Sequence, residues 1–420
     1  MLLACCGSIG AYLRVIRFGC FWRFLRSIYT LFYMRGVLFV RLIGCVLSAK
    51  SCLNQKENYP MFISMIKPLL PRPVKRLIID VLARCQYWLL RVFSVHPWLS
   101  SVYYLFSRRF GREHQAVLKG RLAFVEGQGL IGDSHTLLRR NIHRIEKGLI
   151  MRPRKPVFAL DYIEPTVDAF AVALANPDHN SQELRWACDV LKAYFKAVDS
   201  EHPKVLREVK PRFLALCGQV KDSQGLDVPY PFADKVDAGI SIAQFEQLCI
   251  QRRSVRWFSD KSVDMSLIEQ AVACSSLAPS ACNRQPYHFY VANDKTMAQK
   301  LVSIPMGTKG FAQNVPCTIV VCADLACYPT ERDRHLIYID SALAAMQLML
   351  ALETLGLSTC PINWPDIEPL ERQMAKTLDL PATVRPVMLI ALGFALAQGQ
   401  IPFSQKKSPQ QLIKVVKGEG

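Results

Sequence analysis

Within the stretch RRSVRWF, the side chains of Arg252, Arg253, Ser254 and Arg256 offer three guanidiniums and a hydroxyl in five positions. Such a set supplies the charge-assisted donors that a phosphate monoester takes, and a helix N-terminus nearby would add backbone N–H groups. Lys406 and Lys407 could bring two more cations from a distant part of the chain. Between these positions, Pro279 to Pro286 reads as a small-residue turn carrying Ser280, Asn283, Arg284 and Gln285. Its amides, hydroxyl and guanidinium suit the heteroatom edge of a flat ring system. Each piece alone is equally compatible with a solvated surface.

A second basic cluster lies upstream. Arg139, Arg140, Arg144, Lys147, Arg152, Arg154 and Lys155 fall within 17 positions, with His143 and Glu146 among them. Two readings are open: a solvated helix face followed by a basic loop, or an anion site for a phosphorylated or carboxylated substrate or for lipid headgroups. Nothing in the chain singles out a catalytic acid, base or covalent nucleophile. Fifteen cysteines are scattered without a CxxC pair or a Cys/His cluster of zinc spacing, so no metal site is expected. Cys274, Cys282, Cys317, Cys322 and Cys360 read as small buried hydrophobes in a reducing compartment, not as disulfide partners. "MGTKGF" from Met306 to Phe311 lacks the glycine spacing of a dinucleotide-binding fingerprint.

These candidates must be positioned by regular elements. After Arg256 helical and strand patterns alternate. "SLIEQAVACSS", "TMAQKLVSI", "HLIYIDSALAAMQLMLALETLGL" and "IEPLERQMAKTLDL" read as helices. "HFYVAND", "PCTIVVCAD", "STCPI" and "RPVMLIALGFA" read as strands. The fold class is α+β. The long helix is apolar nearly all round, which suits a large core or a dimer interface; Asp340 and Glu353 argue against a membrane span. Upstream, residues 133–222 read as helices, the first capped by Ser134, and the boundary with the C-terminal domain falls near residue 240.

The net charge of +18 is unevenly placed. Residues 1–121 hold 19 Lys/Arg against three Asp/Glu, and the remainder is nearly neutral. Nucleic-acid binding is therefore not expected of the body, and no recognition module is visible. Arginines interrupt the apolar first 60 residues and leave no spanning stretch. That segment is either an interfacial amphipathic helix or, if Met61 is the true start, not native. Residues 61–121 continue the basic and aromatic theme, which suits peripheral contact with a membrane surface or a helix packed on the body.

In order and spacing, "RRSVRWF", "APSACNRQPYHF", "IDSALAAMQLMLALETLGL", "CPINW", "VMLIALGFA" and "QKKSPQQL" resemble the FMN-dependent nitroreductase family over about residues 245–415. The resemblance implies a central, mostly antiparallel sheet flanked by helices, in a homodimer with FMN at the subunit interface. It implies that Arg252, Arg253, Ser254 and Arg256 hold the phosphate and ribityl chain, and that Lys406 and Lys407 close on the phosphate. Ser280, Asn283, Arg284 and Gln285 would lie beside the flavin ring or across the dimer. Pro361, Ile362 and Asn363 would pass near the ring, with Trp364 standing where many relatives have a small or glycine-rich turn. The implied chemistry is hydride transfer from NAD(P)H through flavin N5 to a second, small-molecule substrate.

The front half, with "HRIEKGL" and "RPRKP", is similar to extended nitroreductase-like proteins of bacterial surface polysaccharide biosynthesis. That implies a cytoplasmic enzyme at the inner face of the plasma membrane. The expected organisation is a basic apolar segment (1–60), a basic aromatic region (61–121), a helical accessory region (122–240) and the flavin domain (241–420). A non-catalytic scaffold of the same fold in a membrane-associated assembly is the alternative.

Overall fold

The computed structural model describes residues 72–107, 109–127, 130–198, 203–220, 227–416 and 418. The basic apolar segment 1–60, and the question of whether Met1 or Met61 begins the protein, lie outside them. The chain divides into two compact units, Met1–Arg112 and Glu113–Gly420. The first contains helices α1 (Arg72–Phe93) and α2 (Pro97–Ser107). Tyr87, Trp88, Leu90 and Val92 of α1 and Trp98 and Phe106 of α2 are all exposed, and no residue of α2 is buried. The Ser100 hydroxyl donates to the Phe93 carbonyl at 2.8 Å and fixes the turn between the two helices.

The second unit begins within α3 (Gly111–Glu126). A short antiparallel hairpin, β1 (Leu130–Ile131) and β2 (Ser134–His135), leads into four helices: α4 (Thr136–Leu149), α5 (Ile163–Ala175), α6 (Ser181–Ala197) and α7 (Lys204–Cys217). Their apolar stripes meet in one core of Leu138, Ile142, Ile145, Val167, Phe170, Leu191, Tyr194 and Phe213. Two expectations are corrected here. The cap of α4 is His135, not Ser134: the His135 imidazole accepts from Leu138 N, while the Ser134 hydroxyl turns away to donate to Glu183. Cys188 and Cys217, outside the five cysteines read as buried hydrophobes, are disulfide-bonded and join α6 to α7, against the expected reducing compartment. Helical spacing alone could not show that these two cysteines, on separate helices, face each other.

The sheet-bearing part follows, with α8 (Ile242–Gln251), α9 (Met265–Ser275), β3 (Tyr287–Ala292), α10 (Lys295–Val302), β4 (Cys317–Asp324), α11 (Leu336–Thr354), β5 (Ser358–Asn363), α12 (Glu368–Leu378), β6 (Val384–Gly393) and a short α13 (Pro409–Leu412). The four strands run in the order β3-β4-β6-β5, all antiparallel. Every residue of β4 is buried, so both faces of the sheet are covered. Alternation sorts its side chains. Val320 and Cys322 join Leu389 and Ala391 of β6 under α10 and α12; Cys317, Ile319 and Val321 join Ile390 and Leu392 under α9 and α11. Cys317, Cys322 and Cys360 are buried as expected, but Cys274 is exposed and Cys282 half-buried.

Helix α11 is long and apolar enough to cross a membrane by composition alone. Its Ala344, Ala345, Leu348 and Leu352 are buried. On another face Ile339, Leu343 and Met346 are exposed, at 53%, 45% and 38%, and form an apolar stripe along the helix.

Candidate active site

The capping box of Ser241 and Gln244 starts α8, which ends where Arg252 N donates to Leu248 O. The chain then runs alongside β5. Ser254 pairs with Thr359 in the parallel sense, and Val255 N donates to Thr359 O at 3.0 Å. The basic motif is thereby fixed next to the strand that carries Pro361, Ile362 and Asn363. Ile362 is buried, whereas Pro361 and Asn363 face outward. Trp364 turns into the core, and its indole N–H donates to Glu371 at 2.6 Å. Arg253 donates to the carbonyls of Pro402 and Phe403, which draws in the C-terminal tail bearing the exposed Lys406 and Lys407.

The polar atoms left over here have a direction. Arg252 Nε, Thr359 Oγ1 and Glu353 Oε2 are buried and have no hydrogen-bond partner among the described residues. A buried donor without a partner costs about 1–3 kcal/mol, so Arg252 Nε and Thr359 Oγ1 are donors that a bound acceptor would satisfy, while Glu353 Oε2 is an acceptor. Burial pushes the Glu353 carboxyl up, against the opposing effects of Gln251 and Arg252; burial likewise pushes up the Cys360 thiol, opposed by Arg256 and Arg252. Arg256 lies with its guanidinium 5.8 Å from the Phe311 ring. This donor set fits a phosphate monoester.

The second group of candidates is built differently. Cys282, Asn283 and Gln285 have φ of 54°, 52° and 48°, left-handed backbone in three non-glycine residues. Each costs on the order of 1–2 kcal/mol. The conformation is held from several sides. Gln285 N donates to Ser280 Oγ at 3.1 Å, and Ala281 N donates to the Asp340 carboxylate of α11 at 3.0 Å. From α4, Arg139 spans the turn: Nε donates to Asn283 O (3.0 Å), Nη2 to Gln285 Oε1 (3.0 Å) and Nη1 to Glu183 of α6 (2.9 Å). Arg284 is only 6% exposed, stacks 5.0 Å from the Tyr328 ring, and has a buried Nε without a partner.

Glu183 anchors this arrangement from below. Burial works to raise its pKa, but hydrogen bonds from His179, Ser134 and His135 N, with the charge of Arg139, outweigh burial and bring it down to about 2. His135, fully buried, is lowered to about 4, chiefly by burial, so its imidazole is neutral and can serve as the helix cap. A cleft of about 860 Å³ opens beside Arg139, lined by Glu146, Glu183, Trp186, Tyr230 and Gln285.

The structure brings Arg252, Arg253, Ser254 and Arg256 together with β5 and the start of the tail. It does not bring them to the turn Ser280–Gln285. The turn precedes β3, at the opposite sheet edge from β5. It contacts Asp340 near one end of α11, whereas Gln251 donates to Glu353 near the other. At 1.5 Å of rise per residue those two acids are about 20 Å apart. Sequence reasoning used both only to exclude a membrane span; an acid inside an otherwise apolar helix was the signal that each fixes a turn or motif. Arg139 was hidden in a basic cluster, and Glu183 carried no signal.

Matches to known proteins fall on this same part of the chain. The model of the Nitroreductase family matches residues 250–304 and 297–394. A protein of Archaeoglobus fulgidus named "Putative NADH dehydrogenase/NAD(P)H nitroreductase" is 32% identical over 148 residues, covering 34% of this chain and 80% of that protein. Its namesake from Methanothermobacter thermautotrophicus is 27% identical over 163 residues, covering 38% and 81%. An "Iodotyrosine deiodinase" of Haliscomenobacter hydrossis is 25% identical over 206 residues, covering 41% and 89%. The sheet-bearing part thus has a nitroreductase-like α+β fold, and the chain belongs to the nitroreductase family. It is an oxidoreductase.

Proposed function

We propose that the chain binds FMN and uses it to pass hydride from NAD(P)H to a small-molecule acceptor. When bound, FMN supplies hydride acceptance and donation at N5. The observation that carries the reading is the partnerless Arg252 Nε and Thr359 Oγ1 beside β5, a buried donor set with no ligand from the protein itself. Arg252, Arg253, Ser254 and Arg256 would hold the phosphate and ribityl chain, with Lys406 and Lys407 closing from the tail. Pro361, Ile362 and Asn363 would pass the ring. Ser280, Asn283, Arg284 and Gln285 would meet its heteroatom edge.

The spacing of about 20 Å between the two groups favours a homodimer. In a dimer packed through the exposed Ile339, Leu343 and Met346 of α11, the basic motif of one protomer and the turn of the other would share one flavin. The exposed apolar residues of the tail, Phe403, Ile413, Val415 and Val416, suit an arm laid over the second protomer. The basic, aromatic residues 1–121 would hold this cytoplasmic enzyme at a membrane surface. The link with surface polysaccharide biosynthesis rests on "HRIEKGL" and "RPRKP" alone.

The test is an absorbance spectrum of the purified full chain under argon, before and after NADH or NADPH. Flavin bands that bleach with either donor are expected, and Arg252→Ala with Arg256→Ala should give folded protein without flavin. A colourless wild type that takes up no added FMN would sink the reading.

A further inference from the structure

Arg139 and Arg140 are neighbours on α4 with opposite fates. Arg139 is saturated by Asn283, Gln285 and Glu183. Arg140 projects from a different face and makes no ion pair or hydrogen bond among the described residues. Its company is cationic. Arg144 follows one helical turn later, and Arg284 comes from the turn that α4 packs against. We propose that Arg140, flanked by Arg144 and Arg284, is the subsite for an oxyanion, a phosphate or carboxylate group, carried by the electron-accepting substrate.

Each flanking cation is held by an aromatic plate. The Arg144 guanidinium lies 3.6 Å from the Tyr162 ring, and the Arg284 guanidinium 5.0 Å from that of Tyr328. Such plates fix the direction of a guanidinium without neutralising it. Arg144 has one acid near it, Asp161 at 3.7 Å, and that carboxylate is exposed. Arg284 is more than nine-tenths buried and keeps Nε unpartnered. Burial first, then the like charges of Arg144 and Arg284, hold the Arg140 pKa below the ordinary arginine value; the Cys282 thiol and Asp333 oppose weakly. Arg140 and Arg144 lie one turn apart on α4, and Arg284 sits on the turn that α4 packs against. Like charges so placed repel, and an oxyanion bound beside them would relieve that repulsion and accept charge-assisted hydrogen bonds.

The location fits an acceptor and not the flavin phosphate. Arg140 neighbours Cys282 and Arg284, within the turn assigned above to the flavin ring edge, whereas Arg252 and Arg256 lie at the other edge of the sheet. The helical segment of the chain would thus set specificity: α4 clamps the turn with Arg139 and presents Arg140 to the ligand. That the ligand is the electron acceptor rests on the flavin reading.

The test is calorimetric titration of the full chain with 4-nitrobenzoate, 4-nitrophenyl phosphate and neutral 4-nitrobenzyl alcohol, with the same three compounds then used as acceptors. Arg140→Gln should weaken both anions roughly 10- to 100-fold, the range for losing a charged hydrogen-bond partner. It should also collapse the preference for anionic over neutral acceptors in kcat/KM. Arg140→Lys should recover part of the loss, and Lys147→Gln, on the exposed side of α4, should match wild type. Removal of a repelled cation should leave the melting temperature equal or higher, which a merely structural arginine would not do. Whichever anion binds more tightly names the oxyanion. Unaltered anion binding in Arg140→Gln, or an equal loss in Lys147→Gln, would overturn the inference. Calorimetry needs no bound flavin, so a colourless protein would defeat the flavin reading and leave this titration to decide the subsite.

Discussion

Replacing Arg139 by alanine should separate the helical segment from the turn. The side chain is 16% exposed and its partner Glu183 only 2%. The change removes a charge-assisted bond of 2.9 Å to Glu183 and bonds of 3.0 Å to Asn283 O and Gln285 Oε1. Breaking a buried pair from one side costs about 3–5 kcal/mol. Glu183 keeps Ser134, His135 N and His179, so the lower end, about 3 kcal/mol, is expected. For a unit spanning Glu113–Gly420 that corresponds to a fall of roughly 5 °C in melting temperature. The left-handed backbone at Asn283 and Gln285 loses its support from α4 at the same time, so flavin affinity should fall as well. Thermal melts and flavin fluorescence on release would read the two effects. A double-mutant cycle with Glu183→Ala should give a coupling above about 1 kcal/mol. A melt within about 1 kcal/mol of wild type, with unchanged flavin retention, would refute the claim that Arg139 clamps the turn.

Acid should unfold the second unit in a defined window. The His135 pKa is lowered to about 4 from 6.5, so its contribution is complete above 6.5 and is lost as pH falls toward 4. Glu183, lowered to about 2 from 4.5, contributes fully above 4.5 and loses that contribution between 4.5 and 2. Denaturant midpoints should therefore drop in two stages below pH 6.5, and His135→Asn should remove the first; a midpoint flat down to pH 4 would contradict this assignment. Gly120→Ala should destabilise although alanine favours helix by about 1 kcal/mol, because a Cβ there would meet Leu325 backbone atoms at 2.8 Å; an unchanged or raised melting temperature would show that the contact yields. Full-length protein should float with anionic liposomes and a chain beginning at residue 122 should not; equal flotation would remove the membrane role from residues 1–121.

Much of the sheet-bearing part was legible because its signals are local. The short, β-branched apolar run of "PCTIVVCAD" marks a strand buried on both faces, and the helical period of "SLIEQAVACSS" is set by the one face that must be buried. The resemblance carried by "RRSVRWF" and "APSACNRQPYHF" was legible for the same reason, being contiguous runs. The pairing of Cys188 with Cys217, the cap at His135 and the grip of Arg139 on Asn283 were not. Each joins residues whose relation depends on how whole helices are rotated and docked.

By itself, then, the sequence determined element types, the α+β class and the residues chemically able to take a phosphate or a ring edge. Tertiary structure decided which of them are neighbours. It set Ser254 beside Thr359 and Arg252 near Glu353, and tied the Ser280–Gln285 turn to Asp340, about 20 Å from Glu353 along α11. It also divided one basic run into an Arg139 bonded to Asn283, Gln285 and Glu183 and a half-buried Arg140 with no hydrogen bond to the described residues. Adjacent residues on a helix point about 100° apart, so what each meets is fixed by packing and not by its place in the chain.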